Sequence, residues 1–131
     1  MSKKLLRGVL VDVENEKVQV TEIEDTLDEF YRILNCDCID ITRRRIGRSR
    51  KCYDIICDDE GLFKAEPKIS AIDNIGQPQL VGNLFIVGGP DAEGNLVSLT
   101  NDETAYIMGK VQLLGTRKYP AGYPMLTQCE Y

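Results

Sequence analysis

The sequence predicts a single α+β domain with a mainly antiparallel sheet of about five to seven strands and two helices. Short apolar runs alternate with polar residues at a period of two, two segments carry helix-capping signals, and turn residues separate these segments. The 131 residues are enough to bury a hydrophobic core. We expect residues 1–117 to form the domain and residues 118–131, with two prolines and three tyrosines, to form an extended arm.

The first third of the chain predicts a β-hairpin followed by a helix. Residues 6–13 form an apolar run, and residues 18–21 alternate between apolar and polar types, as in a half-buried strand. Thr26 and Glu29 have the spacing of a capping box, and an apolar stripe at helical spacing follows. Asn35 is a residue type that ends helices in the left-handed conformation. A helix is therefore expected between these two signals.

The middle of the chain predicts a second hairpin and a loop. Residues 36–42 and residues 51–58 read as strands, because their apolar side chains alternate. Residues 43–51 lie between them and are expected to form the hairpin tip, turning near Gly47. Residues 66–79 contain two prolines and a glycine, so we expect a long loop that can hold one helical turn.

The last third predicts a central strand and a second helix. Residues 80–88 form the most hydrophobic run and are expected at the centre of the sheet. Residues 90–95 read as a hairpin loop and residues 96–99 as the returning strand. A second capping-box spacing precedes a helix expected at about residues 101–110, and residues 111–114 are expected to be the last strand.

The composition disfavours an enzyme and a membrane protein. The chain has no histidine, which removes the commonest general base and the commonest metal ligand. No apolar run is long enough to span a membrane, and the basic start is too short for a signal peptide. The prediction is a non-enzymatic cytoplasmic protein without a cofactor or metal.

The five cysteines predict free thiols. Their number is odd and their spacing uneven, which makes a disulfide framework a poor interpretation. Cys36 and Cys38 are two residues apart, and Cys52 and Cys57 are five apart, so the paired spacing of a zinc site is missing. Buried thiols acting as small apolar groups are the first interpretation, and a metal site built only from cysteines is the alternative.

The strongest feature of the sequence is a basic segment that contains no acid. It holds six cations in nine residues of a chain whose net charge is −5. The cations are Arg43, Arg44, Arg45, Arg48, Arg50 and Lys51. Five of them are arginine, whose planar guanidinium group matches pairs of phosphate oxygens, so we expect an anion-binding role. The alternatives are a solvated charged face and pairing with the acidic surface of a second subunit.

A compact phosphorylated ligand fits this segment better than a nucleic acid does. The acidic remainder of the chain repels a long polyanion outside the immediate contact, so nucleic acid is not the expected partner. A nucleotide also needs an aromatic surface for its base. Tyr53, Tyr119 and Tyr123 are the predicted ligand-binding tyrosines, with Tyr131 a further candidate; packing in a core or an interface is the alternative for all of them.

Three segments carry a resemblance to a known family. They are residues 57–64 (Cys-Asp-Asp-Glu-Gly-Leu-Phe-Lys, leading to Pro67), residues 82–88 (Gly-Asn-Leu-Phe-Ile-Val-Gly) and residues 93–100 (Glu-Gly-Asn-Leu-Val-Ser-Leu-Thr). Over roughly residues 6–108 the chain resembles a small domain family of unknown function carried by phages, prophages and plasmids of Gram-positive bacteria. The resemblance implies a mobile-element setting and either interference with a bacterial host or accommodation to it, and it supplies no catalytic residues. The arginine-rich segment and the tyrosine-rich tail depart from the family pattern.

These observations lead to one preferred function and two alternatives. The preferred function is a binding protein that sequesters a small phosphorylated ligand, such as a nucleotide-derived immune signal of the host. Because a domain of this size offers little concavity of its own, a homo-oligomer is expected to complete the pocket. The alternatives are a protein–protein interaction module that inhibits a host factor and a weak nucleic-acid binder that uses the arginine-rich hairpin.

Overall fold

The protein is built from two helices and two β-sheets that contain ten strands in the residues described. The computed structural model describes residues 4–49, 51–60 and 67–131. The elements in chain order are β1 (Leu5–Asp12), β2 (Lys17–Glu24), α1 (Leu27–Leu34), β3 (Ile39–Ile46), β4 (Cys52–Asp58), β5 (Ile69–Ile72), β6 (Pro78–Val81), β7 (Leu84–Val87), α2 (Asn101–Met108), β8 (Val111–Leu114), β9 (Tyr123–Leu126) and β10 (Cys129–Glu130). The predicted α+β class fits in outline, although strands dominate and are more numerous than expected.

The larger sheet has six antiparallel strands in the order β10-β3-β4-β7-β1-β2. Its centre is β7, the most hydrophobic strand, and all four of its residues are buried. The β1–β2 hairpin is confirmed, with Leu5 opposite Glu24 at one end and Asp12 opposite Lys17 at the other. The β3–β4 hairpin is also confirmed, but β3 extends to Ile46, so its arginines belong to the strand and not to the hairpin tip.

The smaller sheet and the helices enclose two hydrophobic cores. The smaller sheet has the order β6-β5-β9-β8, with β5 and β9 parallel and the other pairs antiparallel. With α2 it covers one face of the larger sheet, and this first core includes Val11, Ile86 and Leu126. The α1 helix covers the opposite face, where Phe30 and Phe85 belong to the second core. The protein therefore has three layers: the α1 helix, the larger sheet, and the smaller sheet together with the α2 helix.

Both helices begin where their capping signals predict. The Thr26 side chain accepts a hydrogen bond from the Glu29 N–H at the start of α1, and Asn35 ends that helix with φ at 53°. At the start of α2, Thr100 and Glu103 form the complete reciprocal capping box. Local hydrogen bonds of this kind are encoded within four residues of sequence, so the start of each helix could be predicted from sequence alone.

The strand predicted at residues 111–114 is confirmed as β8, but three other predictions are wrong: the loop at residues 66–79, the single strand at residues 80–88 and the strand at residues 96–99. Residues 66–79, expected to be a loop, contain β5 and begin β6 in their described part. Pro78 opens β6 at the edge of the smaller sheet, where a missing N–H costs no ladder hydrogen bond. The predicted strand at residues 80–88 is divided at Gly82, which has φ at 86°, and residues 96–99 contribute only an isolated bridge from Val97 to Gly88.

The C-terminal segment is part of both sheets. Residues 118–131, expected to form an extended arm, include β9, which lies inside the smaller sheet between β5 and β8. They also include β10, which pairs with β3 at the edge of the larger sheet. Within the described part of the chain, neither helix has the length and apolar character that crossing a membrane requires.

Candidate anion-binding groove

The arginines of β3 diverge instead of forming one cluster. Arg43, Arg44 and Arg45 are successive strand residues, and successive side chains on a strand point to opposite faces. Arg44 points toward the smaller sheet, where its guanidinium contacts Gln79 of β6. Arg43 points to the other face, where it meets Asp54 of β4. The strand therefore sends neighbouring cations into different environments.

Arg44 is a buried cation held by neutral groups. Its residue surface is only 3% exposed. Nε donates to Thr42 Oγ1 at 3.0 Å and Nη1 donates to Gln79 Oε1 at 2.8 Å. The guanidinium carbon lies 3.7 Å from the centroid of the Tyr131 ring, a cation–π contact. Among the described residues no carboxylate lies within ion-pair distance of Arg44, so its positive charge is not cancelled by a direct partner.

Two other cations of the segment are occupied by carboxylates. Arg43 Nε lies 3.3 Å from Asp54 Oδ1, and Lys51 Nζ lies 2.6 Å from Glu103 Oε2. Burial raises the pKa of Glu103, but hydrogen bonds from Lys51 and from the Thr100 N–H outweigh burial and leave that pKa below its ordinary value. These two cations therefore have intramolecular partners that an incoming anion would have to displace.

Within the basic segment, Arg45 and Arg48 are exposed, and neither pairs with an Asp or Glu side chain of the described residues. Arg45 donates to the backbone oxygen of Tyr131 from Nε at 3.3 Å and from Nη2 at 3.2 Å. The exposed Arg48 side chain makes no hydrogen bond or ion pair with any residue in the described ranges. Arg50 lies outside the described residues. The turn between these arginines contains Gly47, with φ at 66°, where a Cβ atom would lie only 2.4 Å from the Tyr106 hydroxyl.

An open groove lies beside Arg45 at the edge of the larger sheet. Its volume is 440 Å³, and we call it the Tyr131 groove; its lining residues are Arg45, Gly47, Asn74, Gln79, Glu130 and Tyr131. The Tyr131 residue is 79% exposed, although the Arg44 guanidinium lies over its ring. The groove thus contains the exposed Tyr131 ring and the Arg45 guanidinium, which is hydrogen-bonded to the backbone oxygen of Tyr131.

The tyrosines predicted to bind ligand do not line this groove. Tyr53 and Tyr123 are 4% and 1% exposed and belong to the first core. Burial raises the pKa of Tyr123, whose hydroxyl donates to the Ile69 carbonyl at 2.9 Å. Tyr119 packs edge to face against Tyr123, with ring centroids 5.8 Å apart. These rings stabilise the packing between the sheets, and Tyr131 is the tyrosine that reaches the groove.

The sequence did not predict which polar residues line the groove beside Tyr131. Asn74 follows β5, Gln79 lies in β6 and Glu130 lies in β10, three elements that the sequence pattern did not predict. Glu130 of β10 lies opposite Arg45 of β3 in the strand register. The Oε1 atom of Glu130 accepts a hydrogen bond from the Asn74 N–H at 3.0 Å. A two-residue strand such as β10 has no periodicity of its own, so nothing in the local sequence indicates this arrangement.

A larger cavity elsewhere has the wrong charge for a phosphate. It has a volume of 660 Å³ and lies beside α1 and the end of β4. Its lining includes the carboxylates of Asp28, Asp37, Asp58 and Glu60, with Arg32 as the one cation among its described lining residues. Arg32 already pairs with Glu29 on α1. Coulomb repulsion therefore disfavours an anionic ligand in this cavity.

The cysteines are free thiols in different environments. Cys57 and Cys129 are buried, Cys36 and Cys52 are half-buried, and Cys38 is exposed, so the expectation of buried thiols holds for two of the five. Burial raises the pKa of Cys57 to about 12 and that of Cys129 to about 11, which keeps both protonated at neutral pH. In the described ranges no three Cys, Asp or Glu side chains are arranged to hold a metal ion.

Comparison with known proteins places the chain in a family. No curated protein and no solved structure matches it. The sequence model of DUF3846, a domain of unknown function, matches residues 6–112, which is most of the chain. The matched region includes the basic segment, Asn74 and Gln79, whereas Glu130 and Tyr131 lie beyond its end. The chain therefore belongs to the DUF3846 family of domains of unknown function.

Proposed function

We propose that this protein is a non-enzymatic binding protein that sequesters a small phosphorylated ligand in the Tyr131 groove. The proposed setting is a phage or another mobile element acting in the cytoplasm of a bacterial host, as the family resemblance implies. The proposed ligand is a nucleotide-derived immune signal of that host. Sequestration requires affinity and abundance but no catalytic group, so a pair of binding features on a stable scaffold is sufficient.

The observation that carries the proposal is that two guanidinium groups contact Tyr131, one at its ring and one at its backbone oxygen. Arg44 lies over the ring, 3.7 Å from its centroid, and Arg45 donates twice to the backbone oxygen of the same residue. The exposed part of the ring offers a stacking surface for a base. Arg45 retains its Nη1 donors for a phosphate oxygen, because its two hydrogen bonds to Tyr131 use Nε and Nη2.

The charge distribution supports a compact ligand. Arg43 and Lys51 are paired with carboxylates, which leaves Arg45 and Arg48 as the exposed cations of the segment available among the described residues. Two guanidinium groups match one or two phosphate groups. Beyond them the chain carries an excess of acids, which repels a longer polyanion.

We also propose that the protein functions as a homo-oligomer, because the groove is open and a second copy would enclose the ligand more fully. The eight-residue strand β2 is a separate argument for self-association, because it lies at the edge of the larger sheet opposite the groove. In the described part of the chain it is an edge strand of the larger sheet, and its Val20 side chain is exposed. Such an edge is a template for pairing with another strand. Native mass spectrometry that finds only monomers at micromolar concentration would rule out the oligomer.

The ligand proposal is tested by reversing charge at the groove. The double variant Arg45→Glu with Arg48→Glu reverses the charge of a lining residue and of the exposed cation that follows the lining residue Gly47, and we expect it to lose all ligand-dependent thermal stabilisation. The probes are adenine nucleotides and cyclic dinucleotides, measured by differential scanning fluorimetry. A ligand at 100 times its Kd should stabilise the unmodified chain by about 2.7 kcal/mol.

A matched control separates groove chemistry from net charge. Arg117→Glu with Lys118→Glu makes the same change in charge on the exposed loop between β8 and β9. That loop lies at the β8 edge of the smaller sheet, opposite the β6 edge that borders the groove. The control should retain the ligand-dependent shift. The proposal fails if the groove variant still shows that shift, or if no probe stabilises the unmodified chain.

A further inference from the structure

We infer that the ligand class of the Tyr131 groove is a ribonucleotide, and that Glu130 is the residue that recognises its ribose hydroxyls. This inference rests on the proposed function and makes it more specific. The groove contains an acidic side chain that a simple phosphate site would not contain. Glu130 lines the same groove as Arg45 and Tyr131.

The Glu130 carboxylate is only partly satisfied by the protein. Its Oε1 accepts the Asn74 N–H at 3.0 Å, which fixes the side chain toward the loop after β5. Its Oε2 accepts no hydrogen bond from any residue in the described ranges. An ionised carboxylate has acceptor capacity only, so the remaining oxygen attracts a hydrogen-bond donor and repels a second anion.

Arg45 does not neutralise Glu130, although the two residues are cross-strand neighbours. Glu130 of β10 lies directly opposite Arg45 of β3. Opposite charges at such positions usually pair. Here the Arg45 guanidinium is turned to the Tyr131 backbone oxygen, and in the described part of the chain Glu130 forms no ion pair. The groove therefore keeps a positive group and a negative group separate, each available to a different part of one ligand.

A ribonucleotide matches these separated groups. Its phosphate suits Arg45, its base suits the exposed ring of Tyr131, and its ribose hydroxyls can donate to Glu130. Acidic side chains recognise ribose in this way in dinucleotide-binding folds, where a carboxylate accepts from the 2′-hydroxyl. A deoxyribonucleotide lacks that donor, and pyrophosphate offers neither a donor nor a ring. The groove should therefore rank these three kinds of ligand in that order.

The experiment is isothermal titration calorimetry on the full chain. The probes are the four ribonucleoside 5′-monophosphates, their 2′-deoxy counterparts and sodium pyrophosphate. At least one ribonucleotide should bind about tenfold more tightly than its deoxy counterpart, the size expected for one hydrogen bond to a charged group. Because this comparison uses the unmodified protein, it does not depend on the folding of any variant.

The variant Glu130→Gln tests the assigned residue. Glutamine keeps an oxygen acceptor for the Asn74 N–H but removes the negative charge, so a purely structural role would leave ligand preference unchanged. We expect the ribose-to-deoxyribose preference to shrink toward unity and pyrophosphate to bind more tightly. Equal affinity for ribo and deoxy probes in the unmodified protein, or an unchanged preference in the variant, overturns this inference alone. Binding of none of the probes overturns the proposed function together with it.

Discussion

Arg43 and Arg44 are adjacent in sequence, yet Arg43 pairs with a carboxylate, whereas Arg44 contacts neutral groups. The sequence predicts one anion-binding cluster because it shows how many cations occur together but not which face each one occupies. On β3 the alternation of side chains sends Arg44 into the space between the sheets and Arg43 toward Asp54. The backbone geometry of a strand therefore places neighbouring cations on opposite faces of the sheet, whether or not a ligand is bound.

The Arg43–Asp54 pair gives a prediction at this scale. Asp54 is buried, and Arg43 is its ion-pair partner in the described structure. Arg43→Ala leaves a buried carboxylate without that partner, so it should lower the free energy of unfolding by about 1–3 kcal/mol. Arg48→Ala, which removes an exposed cation with no contact in the described ranges, is the control and should change it by less than about 0.5 kcal/mol.

Urea denaturation of both variants checks this prediction. Replacing Asp54 as well, in the double variant Arg43→Ala with Asp54→Asn, should recover part of the loss, because a neutral amide is less costly to bury than an unpaired carboxylate. If Arg43→Ala is as stable as Arg48→Ala, the Arg43–Asp54 ion pair contributes nothing, and Arg43 would join Arg45 and Arg48 as a cation available to ligand.

At the scale of elements, the sequence predicts those helices and hairpins that are stabilised by interactions between residues close together in the chain. Both helices and both long hairpins are correct, because caps, turns and alternating patterns lie within a few residues of one another. The strands β5, β9 and β10 are short, and their stability comes from distant partners such as Ala71 opposite Leu126. The Tyr131 groove is built from those elements, so its composition could not be predicted.

The two helix caps provide a matched prediction. Glu103 completes a capping box with Thr100 and also pairs with Lys51. In contrast, the Glu29 N–H donates the capping bond to Thr26, and the Glu29 carboxylate pairs with Arg32. We expect Glu103→Ala to lower stability by about 1 kcal/mol, and Glu29→Ala to have a smaller effect. Glu103→Gln should fall between the unmodified chain and Glu103→Ala, since the amide oxygen can still accept the Thr100 N–H.

Stability against pH provides a second measurement of the same contact. The folded-state pKa of Glu103 lies below its ordinary value, so its contribution is present above the pKa of the unfolded chain and is lost as pH falls through the folded value. Thermal unfolding between pH 7 and pH 3 should therefore show a smaller loss for Glu103→Gln than for the unmodified chain. Equal pH dependence in the two proteins would contradict the assigned role of the carboxylate.

At the scale of the whole molecule, the family match and the folding unit have different limits. The match ends at residue 112, within β8, whereas β9 completes the smaller sheet and β10 extends the larger one. The three segments that carry the resemblance lie between residues 57 and 100 and include the end of β4 and all of β7, so they indicate the larger sheet better than the smaller one. The C-terminal strands also bring Tyr131 to Arg44, which joins the edge of the larger sheet to the proposed site.

The last prediction concerns this C-terminal segment. Deleting residues 123–131 removes four buried side chains from the first core: Tyr123, Met125, Leu126 and Cys129. The burial of one large apolar side chain contributes about 1.5–3 kcal/mol, so the combined loss approaches the whole stability of a typical domain, about 5–15 kcal/mol. The truncated chain should therefore lose cooperative urea unfolding and the near-ultraviolet circular dichroism of ordered tyrosines.

The single variant Tyr131→Ala is the control for that deletion. Tyr131 is 79% exposed and lies outside both cores, so its removal should keep the cooperative transition while it abolishes ligand-dependent stabilisation. A cooperative transition in the truncated chain would mean that the larger sheet and its helices fold without β9 and β10. The C-terminal strands would then belong to the binding site alone, and the folding unit would end before residue 123, closer to the limit of the family match at residue 112.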